Sequence, residues 1–191
     1  VAPSSPDDGT TTGARDPMQE AALDDGLERR WTPHRMAYIR GENKPAHTDA
    51  GQECPFCRIP PLSDEDGLVV ARGEHVYVVL NLYPYNSGHL LVCPYRHVPY
   101  YTDLDAAEVA EFGRFTQQAM TALRSAFGPH GFNIGMNQGN VGGAGIAGHL
   151  HQHVVPRWGG DANFMPVIAR TKTLPATLPQ TRDALAGAWP R

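Results

Sequence analysis

Between Gly67 and Tyr95 short apolar runs alternate with turn residues. The segments GLVVARG (67–73), HVYVVLNLY (75–83) and GHLLVCPY (88–95) are rich in Val, Leu and Tyr and are separated by Gly, Pro and Asn. That pattern predicts three successive strands of a meander. The period changes after Asp105. Val109, Phe112, Thr116, Ala119, Met120, Leu123 and Phe127 recur at helical spacing, which predicts a long helix. Asp105 and Glu108 stand at capping-box spacing at its start, and Gly128–Pro129 stops it. GFNIGMN (131–137) and HLHQHVVP (149–156) read as a fourth and a fifth strand, joined by the Gly-rich loop QGNVGGAGIAG (138–148). LPQTRDALAGAWP (178–190) reads as a terminal helix.

The order βββ–α–ββ predicts an α+β fold: an antiparallel meander sheet of about five strands, one face covered by the long helix, plus terminal extensions. Residues 1–30 are polar and read as a disordered leader that passes into a short helix around 18–31. Residues 42–53 read as loop. The expected division is a leader over 1–30, the folded domain over 31–168 and a tail with a short helix over 169–191. No internal repeat is visible.

Composition narrows the function classes. The chain has 191 residues, 41% of them hydrophobic and 19% charged, which is ordinary for a soluble globular protein. Its net charge of −4 argues against a basic field for nucleic acid or an anionic membrane, so an anionic ligand needs a local site. No apolar run has the length of a spanning helix, and VAPSSPDDGTTTGARDP (1–17) has no apolar region of the signal-peptide kind. Three cysteines are too few for a disulfide framework, which fits a reducing cytoplasm.

The chemistry concentrates in His149, His151 and His153. On a strand these alternating positions share one face, with Leu150, Gln152 and Val154 on the other. Three imidazoles on a face that packs a core destabilise it unless they bind something, so a metal site or a phosphate-handling site is expected. The preceding loop, crowded with glycine, exposes backbone N–H groups of the kind that hold phosphate oxygens, and a neutral imidazole is a competent nucleophile toward phosphorus. No Walker A loop, Gly-x-Ser-x-Gly elbow, zincin motif or GxGxxG after a strand is present. Cys54 and Cys57 form a C-x2-C knuckle outside any redox βαβ context, which points to zinc with His97 and His149 as the leading further ligands. Cys93, inside LLVCP, reads as a core residue.

HLHQHVV matches His-φ-His-φ-His-φ-φ, where φ is apolar, and on it the chain resembles the histidine triad family over roughly residues 54–168. LNLYPYNSGHLLVCPYRHV and FNIGMNQG extend the likeness, and HVVPRWGGDANFMPV is similar to a subgroup of bacterial and archaeal members. The resemblance implies a nucleotidyl transferase acting on dinucleoside polyphosphates through a nucleotidyl-histidine. Within the subgroup it implies phosphorolysis of diadenosine tetraphosphate to ADP and ATP. Hydrolysis of such substrates or of nucleoside phosphoramidates at the same site, and non-catalytic binding of an adenine nucleotide, are the alternatives. It further implies His151 as nucleophile and His153 as its partner on the phosphate oxygens. Cys54, Cys57, His97 and His149 become ligands of a structural Zn2+. Asn81 falls where ribose is bound, His89 behind the catalytic strand, Asn137 and the Gly143–Ala144–Gly145 backbone at the phosphates, and Trp158 near the substrate. Mg2+ or Mn2+ accompanies the polyphosphate, orthophosphate is a candidate acceptor, and a homodimer is expected, with Phe112, Phe115 and Met120 as contributors. Two departures stand out: Gln152 occupies a φ position, and Gly145, Ile146 and Ala147 lie where other members carry side-chain donors.

Overall fold

Val, Leu and Tyr dominate the strand segments, and in the computed structural model they pair as one antiparallel sheet. The structure describes residues 54–161 and 173–190, all within a unit that spans 43–191. The expected leader, the helix around 18–31 and the loop over 42–53 lie outside the described residues.

The elements in chain order are α1 (Pro55–Arg58), β1 (Val69–Arg72), β2 (Val76–Leu80), β3 (Leu90–Pro94), α2 (Ala106–Phe127), β4 (Gly131–Met136), β5 (Gln152–Arg157) and α3 (Leu178–Gly187). A single 3-10 turn, Tyr101–Asp103, precedes α2. The sheet order is β1-β2-β3-β5-β4, so the last strand in sequence inserts beside β3 and leaves β4 on the edge. The meander β1–β2–β3 is as predicted, and the α+β architecture holds.

α2 begins and ends for the reasons visible in its sequence. The Asp105 side chain accepts from the backbone N–H of Glu108, and the Glu108 carboxylate accepts in return from Asp105 N–H. Gly128 closes the helix with φ 56°, a left-handed conformation that glycine adopts without strain. Phe112, Phe115, Ala119, Ala122 and Leu123 pack on Val76, Val78, Leu80, Leu90, Val92, Leu150 and Val154, and α3 adds Leu185. Phe112 and Phe115, expected as dimer contributors, are buried in the chain's own core, whereas Met120 packs against that core and stays partly exposed.

The opposite face departs from the expectation of a sheet covered on one side. Val69, Tyr77, Val79, Leu91 and Cys93 alternate with the helix-facing residues and are buried under Cys54 and Phe56. Strands β2 and β3 are buried at every position for this reason. Tyr77 Oη–H donates to the Phe56 carbonyl at 2.7 Å and anchors α1 to this face. Cys93 is fully buried there, as its apolar context predicts.

The fifth strand is shorter than HLHQHVVP suggested. It starts at Gln152, because the ladder with β3 ends at the Val92–Gln152 pair and the ladder with β4 ends at Met136–Gln152. His149 lies in a bend and Leu150 and His151 lead into the strand without belonging to the ladder, with Leu150 N–H donating to Val98 O at 2.7 Å. Only His153 stands within the ladder proper.

Candidate active site

The alternation survives although the strand does not. Leu150, Gln152 and Val154 are buried on the helix side or within the ladder, while His151 and His153 stand on the face that carries Tyr77, Val79 and Leu91. The His151 and His153 ring centroids are 5.2 Å apart.

Hydrogen bonds assign the tautomer of each ring. His151 Nδ1 lies 2.8 Å from the His149 carbonyl, which can only accept, so Nδ1 carries the proton and Nε2 holds a lone pair. His89 is fully buried behind His153. Its Nδ1 accepts the backbone N–H of Tyr85 at 3.0 Å, so its proton sits on Nε2. That Nε2–H donates to His153 Nδ1 at 2.9 Å, which leaves His153 with its proton on Nε2. The two neighbouring rings therefore present opposite groups, an Nε2 lone pair on His151 and an Nε2–H on His153.

Burial keeps all of these rings neutral. It lowers the His151 imidazole below its ordinary range, only partly offset by the His149 carbonyl. Burial, then the His153 and His151 imidazoles, bring His89 down to about 3. Burial and His151 bring His153 down to about 4.

Two aromatic residues not singled out in the sequence frame the pair. Phe56, from the knuckle, packs its ring 4.8 Å from that of His151 and 5.5 Å from that of His149. Tyr85 lies 5.6 Å from His153, nearly parallel at 18°, and 4.7 Å from His89. The available signals were Phe56's place between two candidate ligands and the aromatic run LYPY just before the turn into β3.

Cys54, Cys57, His97 and His149 come together as expected: their ligand atoms all lie within 4.8 Å of one another. His149 Nδ1 faces Cys54 Sγ at 3.5 Å and Cys57 Sγ at 3.4 Å, and His97 Nδ1 lies 3.3 Å from Cys57 Sγ. His149 Nε2–H donates to Pro94 O at 2.9 Å, which turns the Nδ1 lone pair toward the sulfurs. Two thiols and two imidazole nitrogens converging on one point fit a tetrahedral Zn2+. Burial and the adjacent Cys54 push the Cys57 thiol up to about 11, and a bound dication would deprotonate it.

Asn81 sits at the end of β2, but its amide is engaged within the loop: Oδ1 accepts from Tyr83 N–H at 3.0 Å and Nδ2 lies 3.3 Å from His89 Nδ1. Asn137 is exposed one residue past the Met136–Gln152 pair, level with His151. In the following loop Gly143 N–H donates to Asn140 O and Ala144 is buried, while Ile146 packs on the cluster that contains Phe56 and Leu91, which seats the loop on the site face. A Cβ on Gly142 would meet Gln138 O at 2.3 Å, so this turn requires glycine. Trp158 is not brought to the triad. It lies seven residues beyond His151, about 20 Å of extended chain, and its Nε1–H donates to Phe127 O.

A HIT domain model matches residues 63–160. The AP-4-A phosphorylase of Mycobacterium tuberculosis (strain ATCC 25618 / H37Rv) is 52% identical over 169 residues, 87% of each chain. An uncharacterized HIT-like protein of Methanocaldococcus jannaschii is 34% identical over 113 residues, 59% of this chain and 84% of the relative. Among solved structures, a Zn-bound histidine triad family protein from Mycobacterium smegmatis aligns with TM-score 0.57 at 25% identity, covering 73% of this chain and 94% of that one. A hypothetical histidine triad nucleotide-binding protein from Sulfolobus tokodaii aligns with TM-score 0.58 at 26% identity, covering 71% and 91%.

Proposed function

The chain belongs to the histidine triad (HIT) family, and from that premise we propose that it is a diadenosine tetraphosphate phosphorylase. The observation that carries the mechanism is the opposed pair of tautomers at His151 and His153. The His151 Nε2 lone pair attacks one α-phosphorus. A nitrogen–phosphorus bond forms, the bond to the bridging oxygen breaks, and ATP leaves with the electron pair. His153 Nε2–H donates to the oxygen on which negative charge develops. The nucleotidylated ring keeps its Nδ1 proton and becomes cationic, and the His149 carbonyl that accepts this proton stabilises it. Orthophosphate then attacks the same phosphorus, ADP leaves, and His151 returns to its starting state. The depressed basicity of His151 keeps its nucleophilic form present at neutral pH.

Phosphorolysis is favoured over hydrolysis by the 52% identity to the mycobacterial AP-4-A phosphorylase. The small residues Gly143, Ala144 and Gly145 are consistent with room for a second anion beside the adduct, with Asn137 at its rim. Cys54, Cys57, His97 and His149 hold Zn2+ in a structural role, supported by their convergence and by the zinc in the M. smegmatis neighbour. A dimer has the open edge of β4 available, where Ile134 is exposed. Among the described residues no helix is long and apolar enough to cross a membrane, and the three free cysteines suit a reducing compartment.

The mechanism is tested at its nucleophile. His151→Asn is expected to retain nucleotide binding and to lose more than about 10³-fold in kcat. Wild-type protein quenched during turnover of α-labelled substrate should carry label on His151. A variant keeping a tenth of wild-type activity would exclude this residue.

A further inference from the structure

Past His153, on the triad's face of the sheet, lies a pocket of about 270 Å³ lined by Tyr85, Asn86, Asn133, Val155 and Arg157. Val155 follows His151 and His153 at the same alternation, and Asn133 pairs with it across β4 and β5. Gly135 pairs with His153, and a Cβ there would meet nothing within 4 Å among the described residues, which leave the path from the triad to the pocket open.

The lining selects the ligand class. Among the described residues Arg157 is the pocket's one cation, and it is already matched by Asp161 through two hydrogen bonds, at 2.6 and 3.0 Å. A third bond from Arg157 takes Asn133 Oδ1 at 2.8 Å. The Asn86 amide nitrogen is spent on Pro156 O and on Asp161. The pocket's described lining thus offers no unpaired positive charge to a phosphate. It offers the phenol ring of Tyr85, the methyl groups of Val155 and the Asn133 amide N–H groups, a wall suited to a flat, neutral, hydrogen-bonding ring. Tyr85 is 59% exposed although one face of its ring lies on His153, and Tyr83 beside it is 80% exposed. Exposed aromatic side chains at the mouth of a site are stacking surfaces.

We propose that this pocket receives the nucleoside on the departing half of the dinucleotide, with its base stacked on Tyr85 so that the order is His153, Tyr85, base. The proposal rests on the reading of the substrate as a dinucleoside polyphosphate. From His151 to Val155 the strand covers about 13 Å, a span that the polyphosphate between the attacked phosphorus and the second ribose can bridge.

The test compares equilibrium binding of diadenosine tetraphosphate and adenosine 5′-tetraphosphate to the full-length His151→Asn protein, which leaves both ligands intact. Only the dinucleotide carries the second nucleoside; the tetraphosphate ends in a more highly charged phosphate monoester, and the Tyr85 and Asn133 variants separate the two effects. The dinucleotide should bind about tenfold more tightly. Tyr85→Ala should abolish that difference and Tyr85→Trp should keep it. Because Tyr85 also touches the histidines, Asn133→Trp, which fills the pocket from the exposed edge strand, is the second variant and should abolish it too. Equal binding of the two ligands, or a difference that survives both Tyr85→Ala and Asn133→Trp, overturns the proposal. The comparison needs no turnover, so absence of phosphorolysis in the wild-type protein would refute the activity without being mistaken for failure of this pocket.

Discussion

His89 meets no solvent and sits behind His153, yet it decides which nitrogen of His153 carries a proton. The order runs from backbone to site: Tyr85 N–H fixes His89, and His89 fixes His153. His89→Phe removes the donor and leaves the buried volume filled. The expected result is a fall in kcat of about 10²-fold with KM changed by less than about threefold, because the lost interaction serves the developing charge and not ground-state binding. An unchanged kcat in steady-state assays would show that the His153 tautomer does not matter. The spacing of His149, His151 and His153 was legible from the sequence because a period of two maps directly onto a face. The opposite tautomers were not, since they depend on a carbonyl two residues away and on an imidazole 64 positions earlier in the chain. Asn81 illustrates the same limit. Its position at the end of β2 was readable, whereas the commitment of its amide to Tyr83 and His89 is set by how the loop turns.

At the scale of elements, α1 does more than its four residues suggest. Cys54 and Cys57 join His97 and His149 in the candidate metal site, Phe56 covers the His151 ring, and the Phe56 carbonyl holds Tyr77. The knuckle therefore ties the start of the described chain, the end of β3 and the approach to β5 into one body. Cys54→Ser should lower zinc content well below one ion per chain and lower Tm by about 10 °C, since binding free energy at such a site is folding free energy. Metal analysis together with a thermal melt checks this, and metal-free protein with an unchanged Tm would refute a structural role. The C-x2-C spacing and the strand periods were enough to place the knuckle, the meander and α2. They could not mark where β5 begins, because the end of a ladder is set by the partners Val92 and Met136 and not by its own residues. Nor could they show that α1 buries the second face of the sheet, since that contact joins Phe56 to residues far along the chain.

For the whole molecule, one sheet separates two tasks. The face of Val76, Val78, Leu90, Val92 and Val154 is spent on α2 and α3 and supplies the core. The other face carries the candidate metal site at one end, the triad in the middle and the pocket of Tyr85 and Arg157 beyond it. This division was legible in outline, because each strand alternates and the helix has one apolar stripe. The ligand course across the open face was not, because it is made by loops whose shape follows from Tyr85, Gly142 and Asp161 in their folded places. In the proposed phosphorolysis His151 takes AMP from the substrate and orthophosphate removes it. Diadenosine tetraphosphate should therefore be offered with and without orthophosphate and the products identified by chromatography. Phosphorolysis predicts ADP and ATP in equal amounts, with turnover stalling when orthophosphate is omitted; AMP and ATP at a rate indifferent to orthophosphate would contradict it.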